Sequence, residues 1–403
     1  MVLSLITGLA HAAEDGIADN IFTFGGFGSI GAVHSNNRQA DFTSNVLKPN
    51  GAGYTRSISA DVDSRLGMQL GLALNRQWSG VLQVITEQRF DNTYTPIIEW
   101  ANIKYQITPD LALRVGRIAL PIFLAADYRK VGYTYPWVRV PVELYGSVPI
   151  SNSDGLDLTY RWNMNAIKNV TQVFYGGTDV KVTNDIHATA RKLAGISNTM
   201  EYGAASARFS VLTADLTVNA ARPLFDAFRQ FGNRGAAIAG LYALEHKRTT
   251  AVSLGVNYDP GNWFVMGEIG RFNTHSFLGD KLSLYASAGY RRGAFTPYLA
   301  YSHVKALGAT SDPGLNLAAL PPQVAPTAAF LNKNLNDLLG AISVQTTLTA
   351  GMRWDFMRNV AFKLQYDHVL PQNGSHGMLI NPQPDFRSGA AANVVSAVFD
   401  FVF

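Results

Sequence analysis

Apolar side chains recur at every second position in segment after segment of this sequence. In the last segment, one row is apolar throughout and consists of Val395, Ala397, Phe399, Phe401 and Phe403. A repeat of two residues indicates a β-strand whose two faces meet different environments. Similar runs return along the chain from residue 21 onwards, and turns rich in Pro, Gly, Asn and Asp separate them. The pattern therefore predicts an all-β protein.

The runs and the turns between them predict sixteen strands. The predicted strands are 21–34, 60–75, 80–91, 96–107, 111–119, 153–162, 168–177, 198–208, 210–220, 249–259, 262–273, 280–291, 294–305, 341–355, 359–369 and 391–403. The longer connections are 35–54, 119–152, 178–197, 221–248, 306–340 and 370–390. An even number of strands places both chain ends on one side, where the connections are short turns.

Side chains that face outwards and side chains that face inwards can be predicted within single strands. Along 360–369 we expect Phe362, Leu364 and Tyr366 to face outwards and Lys363, Gln365 and Asp367 to face inwards. Along 281–290 the expected outward row is Leu282, Leu284, Ala286 and Ala288, and along 111–118 Arg114 faces inwards.

Several aromatic residues fall beside predicted short turns: Trp78, Trp162, Trp263, Trp354, Tyr105, Tyr258 and Tyr290. This is the position of an aromatic girdle at a membrane surface.

Composition favours a membrane barrel over the alternative, a large soluble β-sandwich or several soluble all-β domains. Charged residues are 15% of the 403 residues, against roughly 25% in typical soluble proteins. No apolar run reaches the length of a helical span, which is about 18 residues. The absence of Cys fits export through the oxidising periplasm. The small net charge of +4, without a basic run, gives no support for nucleic-acid binding.

The first residues resemble the second half of a secretory signal peptide. Residues 2–9 form a short apolar core, and Ala10, His11 and Ala12 form an A-x-A cleavage site. We therefore predict a truncated signal peptide at 1–12, without its positive n-region. Residues 13–403 then form one transmembrane antiparallel β-barrel of about 16 strands, with short periplasmic turns and long extracellular loops.

The final strand is similar to the C-terminal signature of bacterial outer-membrane proteins. That signature is a terminal Phe with apolar or aromatic residues at every second place before it, here Phe399, Phe401 and Phe403. Together with the sixteen predicted strands, it makes the chain resemble a Gram-negative porin of the proteobacterial sixteen-stranded kind. The resemblance implies an outer-membrane location, with contacts to lipid and lipopolysaccharide. It also implies a homotrimer and recognition of the last strand by the barrel-assembly machinery.

The connection at 119–152 falls where porins carry the third loop, which in that family folds into the barrel and narrows it. Opposed charges across a narrow aqueous gap filter solutes by size and charge. The candidates on this loop are Asp127, Arg129, Lys130, Arg139 and Glu143, and those on the wall are Arg65, Arg89, Arg114 and Arg117. The alternative is that several of them are solvated, or pair with each other to hold the loop. Tyr133, Tyr135 and Trp137 pack the loop to the wall or line a pathway.

We therefore expect a water-filled channel for passive diffusion of small hydrophilic solutes, with a slight preference for anions. The alternatives are a substrate-specific channel and a plugged structural or adhesive barrel. We predict no enzyme, cofactor or metal site, because the eight His residues are scattered and no phosphate-binding loop motif is present. Residues 223–231 and 330–339 have helical patterns, which predict short helices at the mouth or a partner-binding element.

Overall fold

The computed structural model describes residues 21–403, and its main feature is one antiparallel sheet of sixteen long strands. The predicted signal peptide at 1–12 lies outside the described residues. The strands are β1 (Phe22–Ser35), β2 (Arg65–Ala73), β3 (Trp78–Glu87), β4 (Ile97–Gln106), β5 (Leu111–Ala119), β6 (Asn152–Met164), β7 (Ile167–Lys181), β8 (His187–Tyr202), β9 (Ala205–Val218), β10 (Lys247–Tyr258), β11 (Trp263–Asn273), β12 (Lys281–Tyr290), β13 (Phe295–Ala306), β14 (Gln345–Met357), β15 (Val360–Pro371) and β16 (Ala392–Val402).

The sheet is closed because its first and last long strands pair with each other. β1 is antiparallel to both β2 and β16, and Ser29 lies opposite Asp400 in the second pairing. Gly26 and Phe403 exchange two backbone hydrogen bonds, with N···O distances of 2.9 and 3.0 Å. Closure leaves no free sheet edge, which is what a barrel in lipid requires. The predicted barrel is confirmed.

The two side-chain rows of β15 and β16 behave as the alternation predicted. In β15, Leu364 and Tyr366 are exposed on the outside of the single chain, whereas Lys363, Gln365 and Asp367 are buried inside. In β16, Val395 and Phe399 are exposed, as is Phe403 directly after it, and Val394, Ser396, Val398 and Asp400 are buried. The outside is therefore apolar, and the inner wall carries the polar and charged side chains.

The expected long loop at 178–197 is wrong, and so are the two strand ranges assigned after it. β7 continues to Lys181, β8 already begins at His187, and the next turn lies at 203–204. The two strands pair along their whole length, with a bulge between Gly176 and Thr178. Polar outward residues along this stretch hid the alternation.

The connections form two distinct ends of the barrel. The short-turn end has the connections 74–77, 107–110, 165–166, 203–204, 259–262, 291–294 and 358–359. The long-loop end has 36–64, 88–96, 120–151, 182–186, 219–246, 274–280, 307–344 and 372–391. Aromatic rings pair on the outside of the short-turn end, with centroid separations of 4.6 Å for Trp78 and Tyr105 and 5.3 Å for Tyr258 and Trp263. These pairs lie where the girdle was predicted.

Helices occur only in the connections of the described residues: α1 (Val142–Tyr145), α2 (Arg222–Arg229), α3 (Gly232–Tyr242) and α4 (Ala325–Gly340). α2 covers the predicted helical segment 223–231 up to residue 229, α4 contains the predicted segment 330–339, and α3 was not predicted. Phe225 and Phe228 of α2 pack with Leu331 and Leu335 of α4 in an apolar core at the long-loop end. Within residues 21–403, no helix has the length and apolarity needed to cross a membrane.

Candidate pore constriction

The connection 120–151, called the inner loop from here on, lies inside the barrel. Its first part follows the inner wall, where the Ser210 hydroxyl of β9 donates to Pro121 O at 3.0 Å. Leu120 and Ile122 also belong to an apolar cluster that includes Phe174 and Leu212 on the wall. Because wall positions that face this segment are apolar or small, the loop packs there as a protein core packs.

Glu268 of β11 fixes the middle of the inner loop. Its carboxylate accepts hydrogen bonds from Leu124 N at 2.8 Å, Tyr145 Oη at 2.6 Å and Tyr285 Oη at 2.9 Å. Burial raises the pKa of Tyr145 far above its usual value, and the neighbouring Glu268 charge raises it further. Tyr145 therefore keeps its proton and remains a donor to this carboxylate.

Arg139 carries the inner loop to the opposite side of the bore. It is buried, and it pairs with Asp63 of the 36–64 connection and with Asp367 of β15 at 2.6 and 2.9 Å. Its guanidinium also donates to Ser396 Oγ at 2.5 Å and lies 4.9 Å from the centre of the Phe42 ring. Four of its five N–H donors bond within the protein, so Arg139 acts as an anchor of the loop.

Glu143 of α1 is also fully enclosed. Its carboxylate accepts from Ser302 Oγ of β13 and Gln345 Nε2 of β14, each at 2.7 Å, and from Thr347 Oγ1. Three neutral donors compensate the buried charge.

Trp137 is buried as well, and its indole N–H donates to Ser287 Oγ of β12 at 2.9 Å. Trp137 therefore packs the loop against the wall, which was one of its two predicted roles.

Solved structures of outer-membrane proteins superimpose on nearly the whole of this barrel. The chain superimposes on an anion-selective porin from Comamonas acidovorans with a TM-score of 0.56 and 12% identity, covering 95% of this chain and 99% of that one. This is the porin fold. The outer membrane channel DcaP of Acinetobacter baumannii gives a TM-score of 0.57 at 12% identity, with 95% and 97% covered. Salmonella typhi OmpF gives 0.54 at 12% identity, with the same coverage.

Comparison of the sequence with protein families and with curated proteins identifies no relative of this chain. No protein-family model matches the chain, and no curated protein sequence matches it.

Four of the remaining sequence candidates lie on the inner surface of the porin barrel or on the inner loop, and each forms a charge pair there. Arg114 of β5 pairs with Asp157 at 2.8 Å, and Arg65 lies 3.9 Å from Glu87. Lys130 of the inner loop also pairs with Glu87. Asp127 pairs with Arg208 of β9 at 3.1 Å. A role of these residues in selectivity stays a prediction.

Arg129 has a different position, within the inner loop itself. Its guanidinium donates to Ile150 O at 3.0 Å and lies 5.5 Å from the centre of the Tyr145 ring. It therefore joins the beginning of the inner loop to its end. Burial lowers the pKa of Arg129 from its usual value.

Two sequence candidates lie away from the bore and are corrected here. Arg117 of β5 faces outwards, where it makes a two-pronged pair with Asp154 of β6 at 2.7 Å. Its expected inward direction is wrong because outward residues in β5 fall at odd positions, as exposed Val115 shows. Arg89 lies in the 88–96 connection, 5.6 Å from the centre of the Phe90 ring, and not on a wall strand.

Sequence reasoning missed most wall partners of the inner loop. Asp63, Glu268, Arg353 and Lys363 hold it, and Asp400 pairs with Lys363, although none was proposed as a site residue. The alternation did direct Lys363 inwards, and a charge at an inward position was the one available signal. The sequence did not predict which atom of the inner loop each charged side chain contacts.

Proposed function

We propose that this protein is an outer-membrane porin that lets small hydrophilic solutes diffuse passively. The observation that carries the proposal is a closed barrel with an apolar outside, a polar inner wall and a loop folded into the bore. A barrel of sixteen strands is wide enough to retain an aqueous channel beside such a loop. The porin fold of an anion-selective porin from another bacterium supports the same function.

The slight anion preference rests on the wall formed by β4, β5 and β6. Lys104 and Arg114 lie opposite each other on adjacent strands, and Arg161 lies on the same inner face of β6. Two acidic residues supply negative charge there: Asp157, which is paired with Arg114, and Glu99, which is buried on β4. Fixed positive charge along a low-dielectric passage raises the local concentration of anions.

Planar-bilayer conductance in a KCl gradient tests both parts of the proposal. We expect discrete channels with a reversal potential of anion sign, and a smaller potential in the Lys104→Gln/Arg161→Gln variant. Lys333→Gln is the control, because the Lys333 side chain is exposed on the outer face of α4 and pairs with Asp337. A potential of cation sign contradicts the anion preference, and a barrel without conductance contradicts the porin.

The plugged barrel is a second candidate, because the inner loop reaches the wall on several sides. It contacts Glu87 of β3, Ser210 of β9, Ser287 of β12 and Asp367 of β15. Liposome swelling with sugars of graded size separates the candidates. A general series limited by size supports the porin, one favoured solute supports a substrate-specific channel, and no swelling supports the plugged barrel.

We assign no enzymatic activity, and an esterase assay in detergent tests this.

An outer-membrane location and a homotrimer belong to the same proposal. The apolar outside would contact lipid and lipopolysaccharide, and the last strand, with Phe399, Phe401 and Phe403, would be read by the barrel-assembly machinery. The outward pair of Arg117 and Asp154 would be costly where it faced hydrocarbon, so we expect a neighbouring copy to cover it. Light scattering of the detergent complex measures the number of copies, and a monomer contradicts the trimer.

A further inference from the structure

Lys363 of β15 ends in a cage of oxygen atoms that comes mainly from the inner loop. Its ammonium nitrogen lies 2.7 Å from Gly132 O, 2.8 Å from Tyr135 O and 2.7 Å from Trp137 O. Asp400 Oδ2 of β16 lies 2.8 Å from the same nitrogen. Neither the Lys363 nor the Asp400 side chain is exposed to solvent.

The four distances account for the whole bonding capacity of the ammonium group. A lysine has three N–H donors, and the three loop carbonyls use them. The Asp400 carboxylate then acts as the compensating charge, and its other oxygen accepts from Ser29 Oγ of β1. Oxygens arranged around one point in this way resemble the carbonyl shells that replace the hydration of a small cation.

The backbone of the loop tip is shaped to fit this cage. The tip contains a short 3-10 helix, Gly132–Thr134, and the three cage carbonyls belong to its first residue and to Tyr135 and Trp137 just after it. A Cβ atom on Gly132 would lie 2.2 Å from Asp400 Oδ1 and 2.8 Å from Ser29 Oγ. Only glycine therefore lets the tip approach the wall closely enough for Lys363 to reach its carbonyls.

A second cation extends the same contact along β14. Arg353 Nη1 donates to Tyr133 O at 2.6 Å and to Tyr135 O at 3.1 Å. Its side chain also pairs with Asp355, so part of its charge is compensated near the short-turn end. Lys363 differs from Arg353 because all three of its N–H donors go to the loop, while its charge is compensated by Asp400 of the wall.

We propose that Lys363 is a tethered cation that positions the tip of the inner loop, and that its cage accepts a free small cation when the side chain is shortened. Without the ammonium, each of the three buried carbonyls loses a donor, although Arg353 still donates to Tyr135 O, and the buried Asp400 carboxylate loses its cation. The tip, residues 131–138, then leaves the wall. A positively charged guest that fits the cage restores the docked position.

The absence of Cys makes a single engineered thiol a specific reporter of this position. Val131 is 8% exposed and packs with Phe27 and Ile85 when the tip is docked. In Val131→Cys protein in detergent, we expect slow modification by a small charged methanethiosulfonate, measured by intact mass. Adding Lys363→Met should raise the rate about tenfold or more, since local opening exposes the thiol. Lys168→Ala, at an exposed lysine of β7, is the control and should keep the parent rate.

Chemical rescue separates the cation from ordinary packing. In Val131→Cys/Lys363→Ala, methylammonium chloride should slow the modification back towards the parent rate. Tetramethylammonium chloride at equal concentration should not, because the larger ion cannot enter the cage. A Lys363→Met rate equal to that of the parent overturns the anchoring role. Equal effects of the two salts, including none, overturn the cage.

Gly132→Ala in the Val131→Cys background provides an independent test if the Lys363 variants fail to fold. It displaces the tip while leaving every charge in place, so modification of the engineered thiol should accelerate without rescue by methylammonium. An unchanged rate contradicts the proposal. Thiol modification reports where the tip lies whether or not solutes cross the barrel. The outcome is therefore separate from that of the conductance experiments.

Discussion

Arg139 and Asp63 form a two-pronged ion pair inside the barrel, with Nε–Oδ1 and Nη2–Oδ2 distances of 3.0 and 2.6 Å. Arg139 belongs to the inner loop, and Asp63 belongs to the 36–64 connection. The pair therefore joins two loops that enter the bore from different parts of the wall. Both side chains are at most 4% exposed, so the pair is little screened by solvent.

Arg139→Met should destabilise the barrel strongly. The change leaves Asp63 and Asp367 buried without their cation, and breaking such a network costs about 3–5 kcal/mol. Urea unfolding in lipid vesicles, followed by Trp fluorescence, measures the free energy of unfolding. Arg139→Lys, which keeps the charge but not the two-pronged geometry, should lose less. A Met variant as stable as the parent contradicts this account of the loop anchor.

The outward pair of Arg117 and Asp154 predicts a coupling between two substitutions. Leucine at either position alone leaves one charge facing an apolar environment, whereas the double variant removes both charges. A double-mutant cycle in the free energy of unfolding should therefore give a coupling of about 1 kcal/mol or more. A coupling near zero would mean that water covers the pair, as at an ordinary protein surface.

His376 predicts a loosening of the 372–391 connection in acid. Burial lowers the pKa of His376 below its usual value of 6.5, although the ring also bonds Leu379 O at 2.6 Å. The unfolded loop therefore binds a proton at a higher pH than the folded loop does. Stability is retained above pH 6.5 and falls as the pH drops below that value. Hydrogen exchange, corrected for intrinsic rates, should show the loss, and His376→Asn should remove it.

The seam between β16 and β1 predicts a specific sensitivity at Gly28. A Cβ atom there would lie 2.3 Å from Cζ of Phe401, whose ring covers the glycine. Gly28→Ala must displace that ring, at a cost of about 1–3 kcal/mol. The fraction of barrel that migrates as folded on an unheated gel measures the effect. Gly240→Ala is the matched control, because a Cβ there meets nothing within 4 Å and α3 favours alanine. Equal losses in both variants would contradict the packing argument.

The sequence was informative where the two faces of a strand meet lipid and the bore. The alternation correctly directed Lys363 and Asp367 inwards and Phe399 outwards, because solvation differs sharply across the wall at these positions. It failed along β7 and β8, where outward residues such as Asp179 and Arg191 are exposed and polar. Backbone pairing needs no apolar side chain there, so a strand and a loop have the same pattern.

The inner loop shows the second limit of sequence reasoning. Its position and its charged residues could be predicted, but the roles of Arg139 and Glu143 could not. Both are enclosed by side chains from strands more than 150 positions later in the chain, such as Asp367 for Arg139 and Ser302 for Glu143. Pairing over such separations depends on the register of the closed sheet, which no local pattern contains.

The contact of Gly26 with Phe403 has a consequence for biogenesis. Phe403 supplies both hydrogen bonds at one end of the seam, and residues 394–402 pair with β1 along the rest of it, so the ring of strands cannot close until β16 has been synthesised. A polypeptide truncated before β16 would present an unpaired margin to its neighbours instead of a sealed wall. Sealing of the cylinder thus acts as a built-in check that translation has passed the sixteenth strand.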